Sequence, residues 1–250
     1  MRTTESNARQ QPDCIEMLVG GVAALYLEIV LLVIDVSISM DEQDWRPSRL
    51  RGAKDACIAF VERKVQLRPK DSVGIISFAS SARLEHVPAP VGVNLDRLKA
   101  TVNRLHTAEC TNIGAALRKA EDAFNGGTSI HNLIADKGFL AWLFPSNAAS
   151  SNSCRASADP NQLRRIVLLS DGGHNGSIDP IPAARRLLSS GVEVDCIGIG
   201  GSNADVDEGL LKEIASRDEQ GRPRYWFIGD RTGLIRKFEH LASSLRCIDS

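Results

Sequence analysis

Hydrophobic and polar residues follow two different patterns along the chain, and these patterns predict strands and helices in turn. Short runs rich in β-branched residues and leucine, each ended by polar or glycine-containing turns, predict buried strands at 26–34, 72–79, 165–170, 192–199 and 224–228. Residues 82–93 contain Pro88 and Pro90 and predict an edge strand with its turn. Apolar residues at three- and four-residue steps predict helices over 46–65, 95–105, 113–124, 181–190, 207–216 and 234–245.

This alternation predicts the fold class. Strands that take turns with helices over the whole length favour a doubly wound α/β fold, in which a mostly parallel central sheet carries helices on both faces. The result would be a Rossmann-like three-layer sandwich. We expect a single domain over 27–246, with an insertion at about 125–162, where a long stretch lacks a clear pattern. The polar residues 1–13 are predicted to be disordered.

The apolar stretch at 15–34 approaches the length of a membrane span. It is interrupted by Glu16 and Glu28, lacks a basic flank, and runs directly into the polar residues from Asp35 onward. A cationic region followed by an uninterrupted apolar core, which a signal peptide requires, is also missing. The sequence therefore predicts neither a membrane span nor a targeting segment.

Charge and cysteine content narrow the class of partner and the compartment. The 30 Lys and Arg residues against 31 Asp and Glu residues give a net charge of -1, which offers no general attraction for nucleic acid or anionic lipid. The six cysteines contain no C-x-x-C pair, and Cys57 and Cys196 fall in a predicted helix and strand, as buried free thiols often do. We therefore expect free thiols and a cytoplasmic location.

Oxygen-bearing side chains follow two of the predicted strands. Asp35, Ser37 and Ser39 come directly after the first strand, Asp171 follows the strand at 165–170, and Thr111 leads into a helix. In parallel sheets, ligands bind beyond the carboxyl ends of the strands. Three neutral hydroxyls with two carboxylates suit a hard cation, and a small site with few carboxylates favours Mg2+, with Mn2+ and Ca2+ as alternatives. The sequence therefore predicts a metal site at this edge.

Each of these residues also has an ordinary structural explanation. Asp35 could close a turn after a strand, Thr111 could be the N-cap of the helix at 113–124, and Asp171 with Gly172 forms a common turn pair. All three explanations would have to coincide with the metal pattern. We therefore favour the metal site.

At these positions the chain resembles the von Willebrand factor type A domain family, in particular its bacterial members. The family pattern of Asp-x-Ser-x-Ser, a later threonine and a later aspartate corresponds to Asp35, Ser37, Ser39, Thr111 and Asp171. The resemblance extends over roughly 27–246. It implies a metal-ion-dependent adhesion site in which the hydroxyls touch the ion and the two aspartates act directly or through water.

Two positions depart from the family pattern. Many members have glycine where this chain has Ile38, and glycines often precede the threonine where it has Cys110. A β-branched residue resists a positive φ angle, so we expect strain or a different shape at Ile38 if the turn needs that conformation.

The resemblance implies a non-enzymatic module that binds a partner protein, whose Glu or Asp side chain completes the coordination of the metal. We expect the partner-binding rim to include residues next to the predicted ligands, namely Met40, Asn112, Gly172 and His174. The oligomeric state does not follow from the sequence.

Two alternatives stay open. A metal-dependent hydrolase or phosphatase would use Asp35 as nucleophile or ligand, with Asp41, Glu42 and Asp44 as further carboxylates, although these acids also suit the start of the following helix. A scaffold or regulatory subunit of a chelatase-like or chaperone-like assembly would form the site but rarely use it. Such a contact would survive chelation.

Overall fold

Parallel strands with one antiparallel edge strand form the central sheet. A computed structural model describes residues 27–125, 162–202 and 205–244. Within these residues the strands are β1 Leu27–Asp35, β2 Ser72–Phe78, β3 Ala82–Pro90, β4 Gln162–Ser170, β5 Val192–Ile199 and β6 Tyr225–Ile228. They lie in the order β3-β2-β1-β4-β5-β6, and β3 pairs with β2 in the antiparallel sense. β1 and β4 are neighbours at the centre, where the winding of the chain changes direction.

Helices cover both faces of this sheet. They are α1 Arg49–Leu67, α2 Val91–Arg104, α3 Ile113–Asn125, α4 Pro180–Ser189, α5 Glu208–Ile214 and α6 Arg231–Ser243. Helices α1, α2 and α6 contribute to the hydrophobic core on one face, and α3, α4 and α5 contribute to the core on the other. The predicted doubly wound α/β class is therefore confirmed.

The central position of β1 explains its unbroken apolar sequence. Val30 and Leu32 point into the core beneath α1, whereas Leu31 and Val33 point into the core beneath α3, and all four are fully buried. A strand covered on both faces has no solvent side, so polar alternation is lost.

Several helix boundaries differ from the prediction, and the starts of α1 and α2 show local reasons. Helix α1 begins at Arg49 because Ser48 is its N-cap, with Oγ accepting a hydrogen bond from the Arg51 backbone N–H at 3.3 Å. Helix α2 begins at Val91, four residues earlier than expected, directly after Pro90, whose φ of -54° already suits the start of a helix. Neither shift moves a predicted site residue.

The structure describes only part of the apolar stretch at 15–34 and of the predicted insertion. The apolar residues from Leu27 onward form β1, inside the sheet. Residues 1–13 and almost all of the predicted insertion at 125–162 lie outside the described residues. In the described ranges, none of the helices has the length and apolar character needed to cross a membrane. Cys57 and Cys196 are buried free thiols, as predicted, and Cys110 is an exposed free thiol.

Candidate metal centre

The two predicted aspartates lie side by side at the switch point of the sheet. Asp35 is the last residue of β1, and Asp171 follows directly after β4. These strands pair in parallel, with Ile34 opposite Leu169, so both carboxylates reach the same edge. Both residues are buried.

Hydrogen bonds hold both oxygens of the Asp35 carboxylate. Oδ1 accepts the backbone N–H of Ser37 at 2.8 Å, and Oδ2 accepts the hydroxyl of Ser170 at 2.6 Å. The first bond makes a tight turn at the end of β1. Ser170 was not recognised in the sequence. Its signal was its position as the last residue of a strand that neighbours β1.

Ser37, Ser39 and Asp171 form a compact group of oxygens. The two serine hydroxyls lie 3.0 Å apart, and Ser39 donates its hydroxyl hydrogen to Asp171 Oδ1 at 2.7 Å. Ser37 Oγ lies at 3.5 Å from the same carboxylate oxygen. Residues far apart in sequence thus present hydroxyl and carboxylate oxygens to one small volume.

Thr111 lies against this group and does not act as the helix cap. Asn112 has that role in α3, because its Oδ1 accepts the backbone N–H of Ala115 at 3.0 Å. The backbone of Thr111 is fixed by Asn175, whose side chain accepts the Thr111 N–H at 2.7 Å and whose N–H donates to Thr111 O at 3.0 Å. The hydroxyl of Thr111 is therefore not needed for capping.

Gly172 lies near the loops that contain Ser39 and Thr111. A Cβ atom placed on this glycine would lie 3.9 Å from Ser39 Oγ and 3.9 Å from Thr111 Oγ1. Both hydroxyl oxygens thus lie close to one position beside Asp171. The structure brings all five predicted residues, from three loops, to this place.

The two carboxylates are costly to ionise in this buried position. Burial is the largest cause that raises the pKa of Asp35 from an ordinary 3.8 to about 7, and the neighbouring charge of Asp171 raises it further. Burial also raises the pKa of Asp171, against hydrogen bonds from Ser39 and Arg49 that lower it. A cation between the two carboxylates would offset the free-energy cost of ionising them in a buried position.

A buried arginine supports Asp171 from the other side. Arg49 Nη1 donates to Asp171 Oδ2 at 3.1 Å, and Nη2 lies 2.7 Å from both Asp44 Oδ2 and Glu42 Oε2. Asp205 approaches the same nitrogen at 3.7 Å. Arg49 was not predicted from the sequence as a site residue. A basic residue in the first turn of a helix opposes the helix dipole, and this unusual position was the available signal.

Two residues predicted for the partner-binding rim are corrected. Met40 is fully buried and packs in the core beneath α1, so it cannot lie at the rim. Asn112 is also buried, and its side chain bonds to Ala115 and to the Ser80 carbonyl. Gly172 and His174 are partly exposed in the loop after β4, which leaves them available.

The expected strain lies at Cys110 and not at Ile38. Ile38 begins a 3-10 turn, Ile38–Asp41, and its side chain is 66% exposed beside Ser39. Among the non-glycine residues that the structure describes, a positive φ occurs at Cys110, at 66°. The left-handed conformation is unfavourable for a residue with a Cβ, so glycine would suit this position better.

We expect Cys110→Gly to raise the free energy of unfolding by about 0.5–1 kcal/mol, because relief of the left-handed conformation exceeds the added chain entropy of glycine. Chemical denaturation with a chelator present would measure this change. Cys110→Ala is the matched control, since it removes the thiol and keeps the conformational cost. Equal stability of all three proteins would contradict the interpretation.

The fold and the site define an α/β domain with clustered hydroxyl and carboxylate oxygens at the switch point of its sheet. The chain belongs to the von Willebrand factor type A domain family. A family model of this domain matches residues 30–174, and a second model of the same domain matches residues 146–238.

Similar proteins agree with this assignment. The chain is 30% identical over 198 residues to a UPF0353 protein of Mycolicibacterium paratuberculosis, a match that covers 76% of this chain and 50% of the relative. The chain thus spans about half the length of the curated relatives that it matches. Among solved structures, a von Willebrand factor type A protein from Catenulispora acidiphila has a TM-score of 0.61 at 20% identity, covering 87% of this chain and 42% of that one.

A second solved structure is proximal thread matrix protein 1 from the mussel byssus, described with a zinc-occupied MIDAS motif. Its TM-score is 0.60 at 18% identity, and the match covers 87% of this chain and 47% of that one. At these identities the similarity shows the fold.

Proposed function

We propose that this protein binds a partner protein through a divalent metal ion held by Asp35, Ser37, Ser39, Thr111 and Asp171. The observation that carries the proposal is the convergence of these five oxygen-bearing side chains from three loops; the two carboxylates among them are buried and have raised pKa values. In the described residues, His, Cys, Asp and Glu side chains alone form no group of three ligands. The site therefore depends on its hydroxyl oxygens.

The donor set favours magnesium or manganese. Hydroxyl and carboxylate oxygens are hard donors, and a small site with two carboxylates suits an ion that keeps water molecules in its coordination shell. When bound, the ion supplies an electrophilic position that a partner's Glu or Asp side chain can occupy. The protein's own residues orient that contact, and the exposed Ile38 offers an apolar neighbour to it.

Binding is favoured over hydrolysis by the role of the additional acids. The hydrolase hypothesis relied on Asp41, Glu42 and Asp44 as further carboxylates. Glu42 and Asp44 instead pair with the buried Arg49, each at 2.7 Å. A second metal ion would have to break these ion pairs, so the observation that motivated the hypothesis is better explained by Arg49.

We expect Thr111→Val to weaken Mn2+ binding about tenfold, because the variant keeps the shape of the side chain and loses one oxygen donor. Isothermal titration calorimetry would measure the affinity. Thr107→Val is the matched control, since Thr107 lies in the same loop and donates to the exposed Asp41 at 3.5 Å. Equal affinities of wild-type protein and Thr111→Val would remove Thr111 from the site.

The same variants separate a metal-completed contact from a scaffold contact. Proteins captured from the native cell by the wild-type chain in Mg2+ should be lost with a chelator and lost with Thr111→Val, and retained with Thr107→Val. Retention under all conditions would support the scaffold alternative and overturn the metal-dependent mechanism.

A further inference from the structure

A cavity lined by several basic side chains lies at the amino ends of the strands, opposite the candidate metal centre. Its volume is about 470 Å³, within the range of small-molecule sites. Arg224 directly precedes β6, and Lys237 and His240 lie in the second half of α6, so the cavity opens where β6 begins and α6 ends. The proposed metal ligands are at the carboxyl ends of the strands. The two places are therefore physically separate.

Basic side chains outnumber acidic ones around this cavity. Its lining includes one carboxylate, that of Asp218, and Asp218 is paired with Arg222 through a hydrogen bond of 2.8 Å between Nε and Oδ2. The remaining basic groups of the lining, apart from His240, are those of Arg165, Arg224 and Lys237.

One buried carboxylate lies beneath two of these basic groups. Arg165 Nε donates to Asp195 Oδ2, and Arg224 Nε donates to Asp195 Oδ1, each at 2.5 Å. Arg165 also pairs with Glu28 at 3.5 Å and donates to the Leu241 carbonyl at 3.1 Å. These contacts fix the position of the Arg165 guanidinium group. Arg224 lines the cavity, and its Nη1 makes a loose contact of 3.9 Å with Glu193.

Lys237 lies on an aromatic ring where a carboxylate would be expected. Its Nζ is 3.2 Å from the centroid of the Trp226 ring, and among the described residues no carboxylate oxygen lies within 4.0 Å of it. Burial is the largest cause that lowers the pKa of Lys237 to about 8, and Arg165 and Arg224 lower it further, against the opposite effect of Asp195. A bound anion would stabilise this ammonium group.

We propose that this cavity binds a phosphate group, which Lys237 and Arg224 hold from two sides. Guanidinium and ammonium groups are the usual phosphate ligands, the first through paired N–H donors and the second as a point charge. The cavity is larger than a bare phosphate, so the group belongs to a phosphorylated small molecule or to a phosphorylated side chain of a partner. This site does not depend on the proposed metal or its partner.

Phosphate titration of the whole chain tests the proposal. With a chelator present and at constant ionic strength, inorganic phosphate should bind saturably by calorimetry and change the tryptophan emission, because Lys237 leaves the Trp226 ring. Loss of one charge-assisted contact corresponds to about tenfold or more in affinity, so Lys237→Met should weaken binding by that factor. Lys237→Arg keeps the charge and should retain binding.

Lys212→Met is the matched control, because Lys212 also lies over a ring of β6, 5.2 Å from the Tyr225 centroid, but is paired with Glu208 at 2.5 Å. It should bind phosphate as the wild-type protein does. If Lys237→Met bound phosphate as tightly as the wild-type protein, the proposal would be overturned. It would also be overturned if chloride at the same concentration displaced the bound phosphate. Titrations with glycerol 3-phosphate and with a phosphoserine peptide identify the source of the phosphate group. Tighter binding of glycerol 3-phosphate would indicate a phosphorylated small molecule, and tighter binding of the peptide would indicate a phosphorylated side chain of a partner.

Discussion

In metal-free buffer at pH 8, Asp35→Asn is expected to be more stable than the wild-type protein and to bind Mg2+ or Mn2+ about 100-fold or more weakly. The two effects have one cause. The buried carboxylate of Asp35 faces Asp171 and has a pKa of about 7 in the folded protein, against an ordinary 3.8. The charge that a metal needs is therefore unfavourable for folding when no metal is bound.

The pH dependence of this effect has a definite sign. The folded protein keeps the Asp35 proton up to about pH 7, whereas the unfolded chain releases it near 3.8. Ionisation therefore opposes folding at pH 8, by an amount on the order of 2–4 kcal/mol, and the penalty disappears as the pH falls toward 4. The stability gain of Asp35→Asn should follow the same course.

Thermal denaturation at pH 8 and pH 5 in a chelator, with calorimetric Mn2+ titration, would measure both effects. Asp41→Asn is the control, because Asp41 is an exposed acid in the next turn and its replacement should leave stability nearly unchanged. Lower stability of Asp35→Asn at pH 8, together with unchanged metal affinity, would contradict both the electrostatic argument and the site.

Replacing Lys64 with methionine is expected to lower the free energy of unfolding by about 3–5 kcal/mol, the usual cost of removing one partner from a buried ion pair. Lys64 is fully buried on α1. Its Nζ pairs with Glu28 and donates to Asp71 Oδ2 at 2.7 Å. Without this ammonium group, the two buried carboxylates would lose their shared cation and would be left with weaker support, from Arg165 to Glu28 and from Arg68 and the Glu28 backbone N–H to Asp71.

Denaturant titration of Lys64→Met would measure the loss, and Lys99→Met is the matched control. Lys99 on α2 forms an ion pair with Glu62 on α1, with its Nζ 2.5 Å from Glu62 Oε1, and both side chains are partly exposed. The loss of stability there should be much smaller, because solvent screens an exposed ion pair. Adding Glu28→Gln to Lys64→Met should restore part of the stability. A loss at Lys64 no larger than at Lys99 would contradict the argument.

The sequence predicted the strands and helices well because their burial leaves a strong pattern. β5 was predicted with its observed bounds, Val192–Ile199, since this mostly buried strand lies between Gly191 on one side and Gly200 and Gly201 on the other. Helix starts were less accurate. Ser48 and Pro90 determine the starts of α1 and α2 through local hydrogen bonds and backbone angles, which hydrophobic spacing does not report.

The predicted site residues come together because their positions follow from topology. Asp35 and Asp171 end neighbouring parallel strands, so their proximity was predictable once a doubly wound sheet was expected. Met40 was misplaced because adjacency in sequence does not say which way a side chain points after a strand. In the 3-10 turn, Ile38 points to solvent and Met40 points into the core.

The sequence by itself determined the class of fold, the order of its elements and the five oxygen-bearing residues of the proposed metal site, because periodicity and strand-end position are properties of the chain. Only the tertiary structure showed that Ser170 and Arg49 orient the two aspartates, that Asn112 and not Thr111 caps α3, and that basic side chains from β4, α6 and the loop before β6 line a cavity. These arrangements depend on side chains from distant segments. Such contacts form only when the sheet and its helices are packed.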